Sequence, residues 1–225
     1  DCGAGNSPGT LFDSGLFISY VNTRGVNVSN GYIYSNSGYG CCLEDFPKKI
    51  TFNNVHFYSN TWDGLRAYGP ENLIMTNCKF YSNSQMGLYL HDPKYATIGG
   101  CESFENTYAG MYVEGTERIA YNLILQGNQC NNNGNYPTSN RAGITLAGNG
   151  TYGINHATII GNICRDTQGT QTQVYGYLDN AYITDSILAL NDFANNILAP
   201  SISGTYLKIF GNTGYITENS GTLVL

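Results

Sequence analysis

The sequence predicts an all-β protein, a right-handed parallel β-helix of about eight or nine rungs with roughly 23 residues in each. Three observations carry that prediction. First, NGYIYSN (30–36), NVHFYSN (54–60), NCKFYSN (77–83) and GCESFEN (100–106) align, with their last residues at Asn36, Asn60, Asn83 and Asn106, in steps of 24, 23 and 23. Second, Gly-led segments (GLFIS, GCCLE, GLRAY, GLYLH, GMYVE, GITLA) begin at Gly15, Gly40, Gly64, Gly87, Gly110 and Gly143. Third, 28 Gly and 19 Tyr, beside 12% charged and 41% hydrophobic residues, make a composition of strands and turns, not of helices or disorder.

The period is too short for tetratricopeptide, ankyrin or armadillo units, and no LxxLxL pattern is present. A coil with two or three short strands per turn remains, each rung stacked about 4.8 Å above the last by parallel pairing. Alternation along GLYLH turns Leu88 and Leu90 inward and Tyr89 and His91 outward. The same parity makes one inward column of Leu16, Cys41, Leu65, Met111 and Ile144, and another of Ile18, Leu43, Ala67, Val113 and Leu146. Asn36, Asn60, Asn83 and Asn106 are expected to stack at one corner and Asn30, Asn54 and Asn77 at a second. Asn128, Asn162, Asn191 and Asn212 are placed at a third, the amides bonding their neighbours and the turn backbone.

Cys78, Cys101, Cys130 and Cys164 fall at core positions and read as small apolar residues. With seven cysteines in all, at least one is free or pairs between molecules. The sequons at Asn27 and Asn149 are attributed to chance in so Asn-rich a chain. Beyond residue 166 the repeat loosens, and the whole coil is expected to form a rod on the order of 40 Å long.

Residues 1–225 read as one domain, and the lack of obvious end caps predicts a fragment of a longer chain or a subunit of an assembly. A net charge of −6 without a Lys/Arg cluster excludes a nucleic-acid partner. No apolar run is long enough to span a membrane. No signal peptide is visible and the chain opens on Asp1, as a processed or excised product would.

Repeats such as FYSNTWDGLRAYG and FYSNSQMGLYLHD resemble the parallel β-helix repeat of the pectate-lyase-like superfamily, over nearly the whole chain. GNTGYITENSGT (211–222) is similar to a segment near the C-terminal end of many β-helix proteins of bacteria and their phages. The resemblance implies a polysaccharide partner and a place outside the cell or on a virion surface. It implies no particular reaction, since the superfamily includes lyases, hydrolases, alginate epimerases and phage tailspikes, the last often homotrimers.

The candidate site lies on the outward positions of the Gly-led strands. One column reads Phe17, Cys42, Arg66, Tyr89, Tyr112 and Thr145, the next Ser19, Glu44, Tyr68, His91, Glu114 and Ala147. Arg66 suits a uronate carboxylate, and His91, beside Asp92 and one rung from Glu114, suits general acid–base work. His91, Glu114, Arg66 and Tyr89 are the catalytic candidates; Tyr68, Tyr112, Glu44, Asp92 and Thr145 are the substrate-binding candidates. Insertions at 115–122, 131–142 and 148–157 are expected to wall a groove around the Tyr112 and Thr145 rungs.

His91-Asp92-Pro93 resembles the Asp-Pro-His-type segment of alginate epimerases, in a different order and with different flanks. Glu44 and Glu114 stand roughly 14 Å apart, too far to act as a glycosidase pair. No cluster of acids implies a metal site, and no cofactor is expected; Ca2+ is compatible but unsupported. Three functions therefore stay open. They are a secreted or virion-associated polysaccharide binder or depolymerase, a uronate epimerase or lyase proper, and a structural shaft without a ligand.

Overall fold

The computed structural model describes residues 14–19, 24–134, 142–180 and 182–214, and over these the chain winds into a three-faced coil of parallel strands. Face A stacks Leu16–Ile18, Cys41–Leu43, Leu65–Tyr68, Leu88–His91, Met111–Gly115, Ala142–Gly148 and Tyr175–Asp179. A single bridge from Leu178 to Ser201 adds an eighth rung. Face B holds Glu71–Thr76, Thr97–Gly99, Ile124–Gln126, Thr158–Ile160, Ser186–Ala189 and Tyr206–Phe210, and face C holds Lys79–Tyr81, Glu102–Phe104 and Gln129–Asn131. Early in the chain the corner between B and C is bridged by two long strands, Arg24–Tyr34 and Lys48–Tyr58. Lys48–Tyr58 pairs with face B through its first half and with face C through its second.

Face A keeps the register expected from the Gly spacing. Leu16, Cys41, Leu65, Leu88, Met111 and Ile144 align rung by rung, as do Ile18, Leu43, Ala67, Leu90, Val113 and Leu146. From Cys41 to Leu146 these side chains are fully buried. On the seventh rung the same columns hold Tyr177 and Asp179. The buried Asp179 carboxylate accepts the Tyr206 hydroxyl at 2.6 Å and the Ser203 and Gly204 N–H groups at 2.6 and 2.8 Å, so a satisfied polar cluster ends the apolar columns.

The corner between C and A carries the main amide ladder. Asn36, Asn60, Asn83, Asn106 and Asn133 each donate from Nδ2 to the next rung's amide, at 2.8–3.0 Å from Asn36 through Asn106; at the end of the run Gln173 takes the acceptor's place, with Asn133 donating to it at 3.4 Å. Each acceptor oxygen also takes the backbone N–H of the residue below. This ladder explains the leading glycines of face A. A Cβ on Gly64 would stand 2.6 Å from Gly87 O and 2.9 Å from Asn83 Nδ2.

The other two Asn series occupy one corner, not two. Asn30, Asn54 and Asn77 sit there exposed, in left-handed conformations with φ of 53–55°, which Asn tolerates better than most residues. Further along, Gly100, Gly127 and Gly161 take that left-handed position, and the residue after it turns inward. Cys78, Cys101, Asn128, Asn162, Asn191 and Asn212 thereby form one column, in which buried amides from Asn128 onward bond at 2.9–3.0 Å. Six of the seven cysteines lie among the described residues, all buried and free. On the outside of face C, Tyr34, Tyr58, Tyr81 and Phe104 stack with centroids 4.7–4.9 Å apart, a cross-strand aromatic file.

Asn83→Ala is expected to destabilise the protein by about 3 kcal/mol, because it strands the buried Asn60 N–H and amide. Asn54→Ala, at the exposed corner, should cost only about 1 kcal/mol. Urea unfolding of the two variants checks the difference, and equal losses would contradict the ladder's role.

Candidate functional site

Parallel register brings the predicted side chains of face A onto adjacent rungs. Arg66 pairs with Tyr89 and Tyr112 along one column, and Tyr68, His91 and Glu114 follow along the next. The Arg66 guanidinium lies over the Tyr89 ring at 4.3 Å and the Tyr68 ring at 5.1 Å, a cation–π arrangement. The Tyr89 and Tyr112 rings meet edge-on at 5.2 Å, and Tyr68 tilts against His91 at 5.4 Å.

Polar contacts close round His91. Tyr89 donates its hydroxyl to Glu114 Oε1, and that oxygen lies 3.6 Å from His91 Nε2. His91 Nε2 is also 2.8 Å from Thr116 Oγ1, while Nδ1 faces Asp92 Oδ2 at 3.2 Å. Asp92 is itself fixed: buried, at a left-handed φ of 50°, it accepts the Thr116 N–H at 2.8 Å. In the tautomer with its proton on Nδ1, His91 Nε2 carries the lone pair, which accepts the Thr116 hydroxyl. Burial, then the bond to Glu114, pushes the Tyr89 phenol well above its ordinary range, and burial with the Glu114 charge pushes Tyr112 up to about 12. Both rings therefore stay protonated donors near neutral pH.

Asp63 joins this group, although it precedes Gly64 in what reads as a turn. It is fully buried, accepts the Met86 N–H at 2.9 Å and lies 3.4 Å from Arg66 Nη1. Arg66 Nε is buried with no acceptor. Glu44, two rungs from His91 in the same column, is raised by burial and lies 3.5 Å from Cys42 Sγ. Thr145 and Cys42 align with the outward column yet are buried, at 3% and 0% exposure. Each is a small side chain between larger neighbours: Thr145 between Tyr112 and Leu178, Cys42 between Phe17 and Arg66. Thr145 Oγ1 has no partner there, so Thr145 lies beneath the face and not on its surface.

The loops between faces A and B rise beside the site. Asn149 donates to Thr116 O at 2.5 Å, tying 148–153 to 115–119, and Arg118 lies 3.8 Å over the Phe46 ring. Phe46 in turn sits where a Cβ on Gly69 would be. These contacts form one wall. Of the insertion at 131–142, residues 135–141 lie outside the described residues. Among the described residues no group of three or more His, Cys, Asp or Glu is arranged to hold a metal ion.

Fold and face together define a class, a right-handed parallel β-helix with one polar, aromatic strand face. The chain belongs to the right handed beta helix region family, whose pattern matches residues 14–188. Among solved structures, the A-module of mannuronan C-5 epimerase AlgE6 from Azotobacter vinelandii superposes with a TM-score of 0.77 at 18% identity, over 91% of this chain and 55% of that one. The alginate lyase from Paenibacillus sp. str. FPU-7 gives 0.51 at 14% identity, over 83% and 74%. Pectate lyase Pel9A gives 0.50 at 14% identity, over 88% and 57%. At these identities the likeness is one of fold, and the chain spans little more than half of the epimerase module and of the pectate lyase. No curated protein matches the chain in sequence.

Burial raises the Asp63 carboxyl to about 6, opposed by the Arg66 charge and the Met86 N–H. A carboxyl raised on folding stabilises the native state when protonated. That contribution is whole below the ordinary carboxylate value and lost as pH rises through about 6. Asp63→Asn should therefore flatten the stability profile between about pH 4 and 6, where the wild-type protein loses about 2–3 kcal/mol. Urea unfolding across that window decides it, and parallel profiles would refute the assignment.

Proposed function

We propose that face A binds an extended polysaccharide along the coil axis and acts on uronate units of it by proton transfer. The observation that carries this reading is the convergence of Tyr89, His91, Glu114 and Arg66 on adjacent rungs, with Asp92 orienting the imidazole. The solved structures of similar fold, a mannuronan epimerase, an alginate lyase and a pectate lyase, support the substrate class.

Removing the proton on the carbon next to a uronate carboxylate builds negative charge on that carboxylate. Among the described residues of this face, Arg66 is the cation that would pair with it. His91 Nε2 takes the proton and later returns it to solvent. Tyr89, held as a phenol, gives a proton, and the phenoxide left behind regains one from solvent before the next turnover. Delivered to the opposite side of the same carbon, it inverts the centre and the product is an epimer. Delivered to the departing glycosidic oxygen as the neighbouring C–O bond breaks, it leaves a carbon–carbon double bond, the lyase outcome. Tyr68 and Tyr112 offer ring faces for sugar C–H groups, and Glu44 extends the polar column by one rung beyond Tyr68. Asp63 competes for Arg66, so substrate carboxylates gain access as Asp63 protonates.

An extracellular or virion-surface location follows from such a substrate, and sedimentation of the intact protein would separate a homotrimeric, virion-associated form from a monomeric secreted enzyme. Incubation with mannuronate, guluronate, galacturonate and neutral polymers tests the reading. It is followed by binding, by the ultraviolet absorbance of unsaturated products and by hydrogen–deuterium exchange at the epimerising carbon. His91→Ala and Arg66→Met should abolish turnover, with Arg66→Met also weakening uronate binding about tenfold. Wild-type uronate affinity should rise as pH falls from 7 to 5, because a uronate stays ionised while Asp63 takes a proton. No binding to any polymer would leave the structural shaft as the reading.

A further inference from the structure

Face B carries a second groove that owes nothing to the Arg66 group. Its floor is a column of outward side chains in strict register: Ile74, Thr97, Ile124, Thr158 and Ile187. Its rim is the left-handed corner just before that column, at Asn72, Tyr95, Asn122, His156 and Asp185. The space between them is about 460 Å³ and runs on into a depression of about 340 Å³ over Thr158 and Ile187. Among the described residues, no Lys, Arg, Asp or Glu lines the larger part. Ile74, Tyr95 and Ile124 are 44%, 48% and 37% exposed, a good deal of apolar surface for one side of a small coil.

One rim residue stands against its local preference. Asn and Asp suit a left-handed position, and Asn72, Asn122 and Asp185 stand there with φ of 58°, 54° and 51°. His156, which also tolerates it, stands there at 57°, but Tyr95 occupies the same corner at 55°, where a bulky ring is disfavoured. Backbone strain kept where an easier residue fits the neighbouring rungs points to a use for the side chain. Tyr121 braces both rings edge-on, at 6.1 Å from Tyr95 and 4.8 Å from His156.

We propose that this groove binds a neutral β-1,4-linked glycan lying along the coil axis, separately from the chemistry of face A. The rim rings and the Ile side chains would cover the apolar C–H faces of the sugars, and Thr and Asn would bond their hydroxyls. The floor alternates Ile and Thr, so its chemistry repeats every two rungs, about 9.6 Å. A flat β-1,4 ribbon, whose successive rings are turned over, repeats every two sugars over a similar rise. From Ile74 to Ile187 the floor spans four rung spacings, about 19 Å, room for about four sugars. The lack of charge in the larger part selects against a uronate chain.

Calorimetric titration with cellohexaose and xylohexaose, and with a mannuronate hexamer as the charged control, tests the proposal. A neutral hexamer should bind, and Tyr95→Asn should weaken it about tenfold, equivalent to ~1.4 kcal/mol. The same variant should melt no lower than wild type, because Asn fits the corner, and should leave uronate turnover unchanged. Thr97→Val, which alters no backbone preference, should weaken the neutral hexamer severalfold. Failure of both neutral hexamers to bind wild type would overturn the proposal. So would wild-type affinity in both variants, a lower melting temperature for Tyr95→Asn, or tighter binding of the mannuronate hexamer through Tyr95. Loss of turnover on face A with neutral binding intact would bear on the uronate reading alone.

Discussion

In-register parallel stacking, held by buried amide ladders at two corners, is the constraint on which every other feature depends. A buried Asn side chain in this coil has two jobs: its oxygen holds the backbone and side-chain N–H groups of the Asn in the rung below, and its Nδ2 donates to the amide of the rung above. Because each amide oxygen accepts both a side-chain and a backbone N–H from its neighbour, a slip of one residue would strand several buried polar groups together. Register is therefore far more tightly specified than the apolar columns alone would require. Those columns tolerate Cys, Leu, Met and Ile at equivalent positions.

That rigidity is what brings a column of ordinary surface residues together. Tyr89, His91 and Glu114 come from two strands, and Arg66 from a third, yet they meet without any loop having to fold back. The cost is electrostatic. Glu44, Asp63, Asp92 and Glu114 share this face with Arg66 and His91, and the structure answers by giving each carboxylate a donor: Cys42, Met86 N–H, Thr116 N–H and Tyr89 respectively. Burial raises Asp63 to about 6, and it faces Arg66, so the same ion pair links stability to the charge offered on the face.

Much of this was legible in the residues. The Gly-led steps gave the register of face A because a glycine there avoids the ladder amide and the next rung's carbonyl, a steric rule that repeats. The alternation GLYLH identified inward and outward sides because the period of a strand is two. Other features were hidden by local chemistry. Asn77 and Asn128 look alike in sequence, yet the first occupies the left-handed corner and the second follows a glycine that does, so one corner read as two. Thr145 and Cys42 lie on the outward column and are buried by larger neighbours, which parity does not reveal. Asp63 looked like a turn residue, since nothing in WDGL shows that Arg66 lies against it. Face B's groove was missed because Ile and Thr alternate down the coil, across rungs 23–34 residues apart, and not along any one strand.

The central claim is that face A presents one continuous surface for a uronate chain, with Arg66 as its charge anchor. A crystal structure of the protein with a uronate hexamer tests this most directly. The account predicts a chain lying along the coil axis across the Arg66, Tyr89 and Tyr112 rungs, with a carboxylate on the guanidinium and a ring carbon facing His91 Nε2. A hexamer bound elsewhere on the coil, or lying on face A with its carboxylates turned away from Arg66, would contradict it.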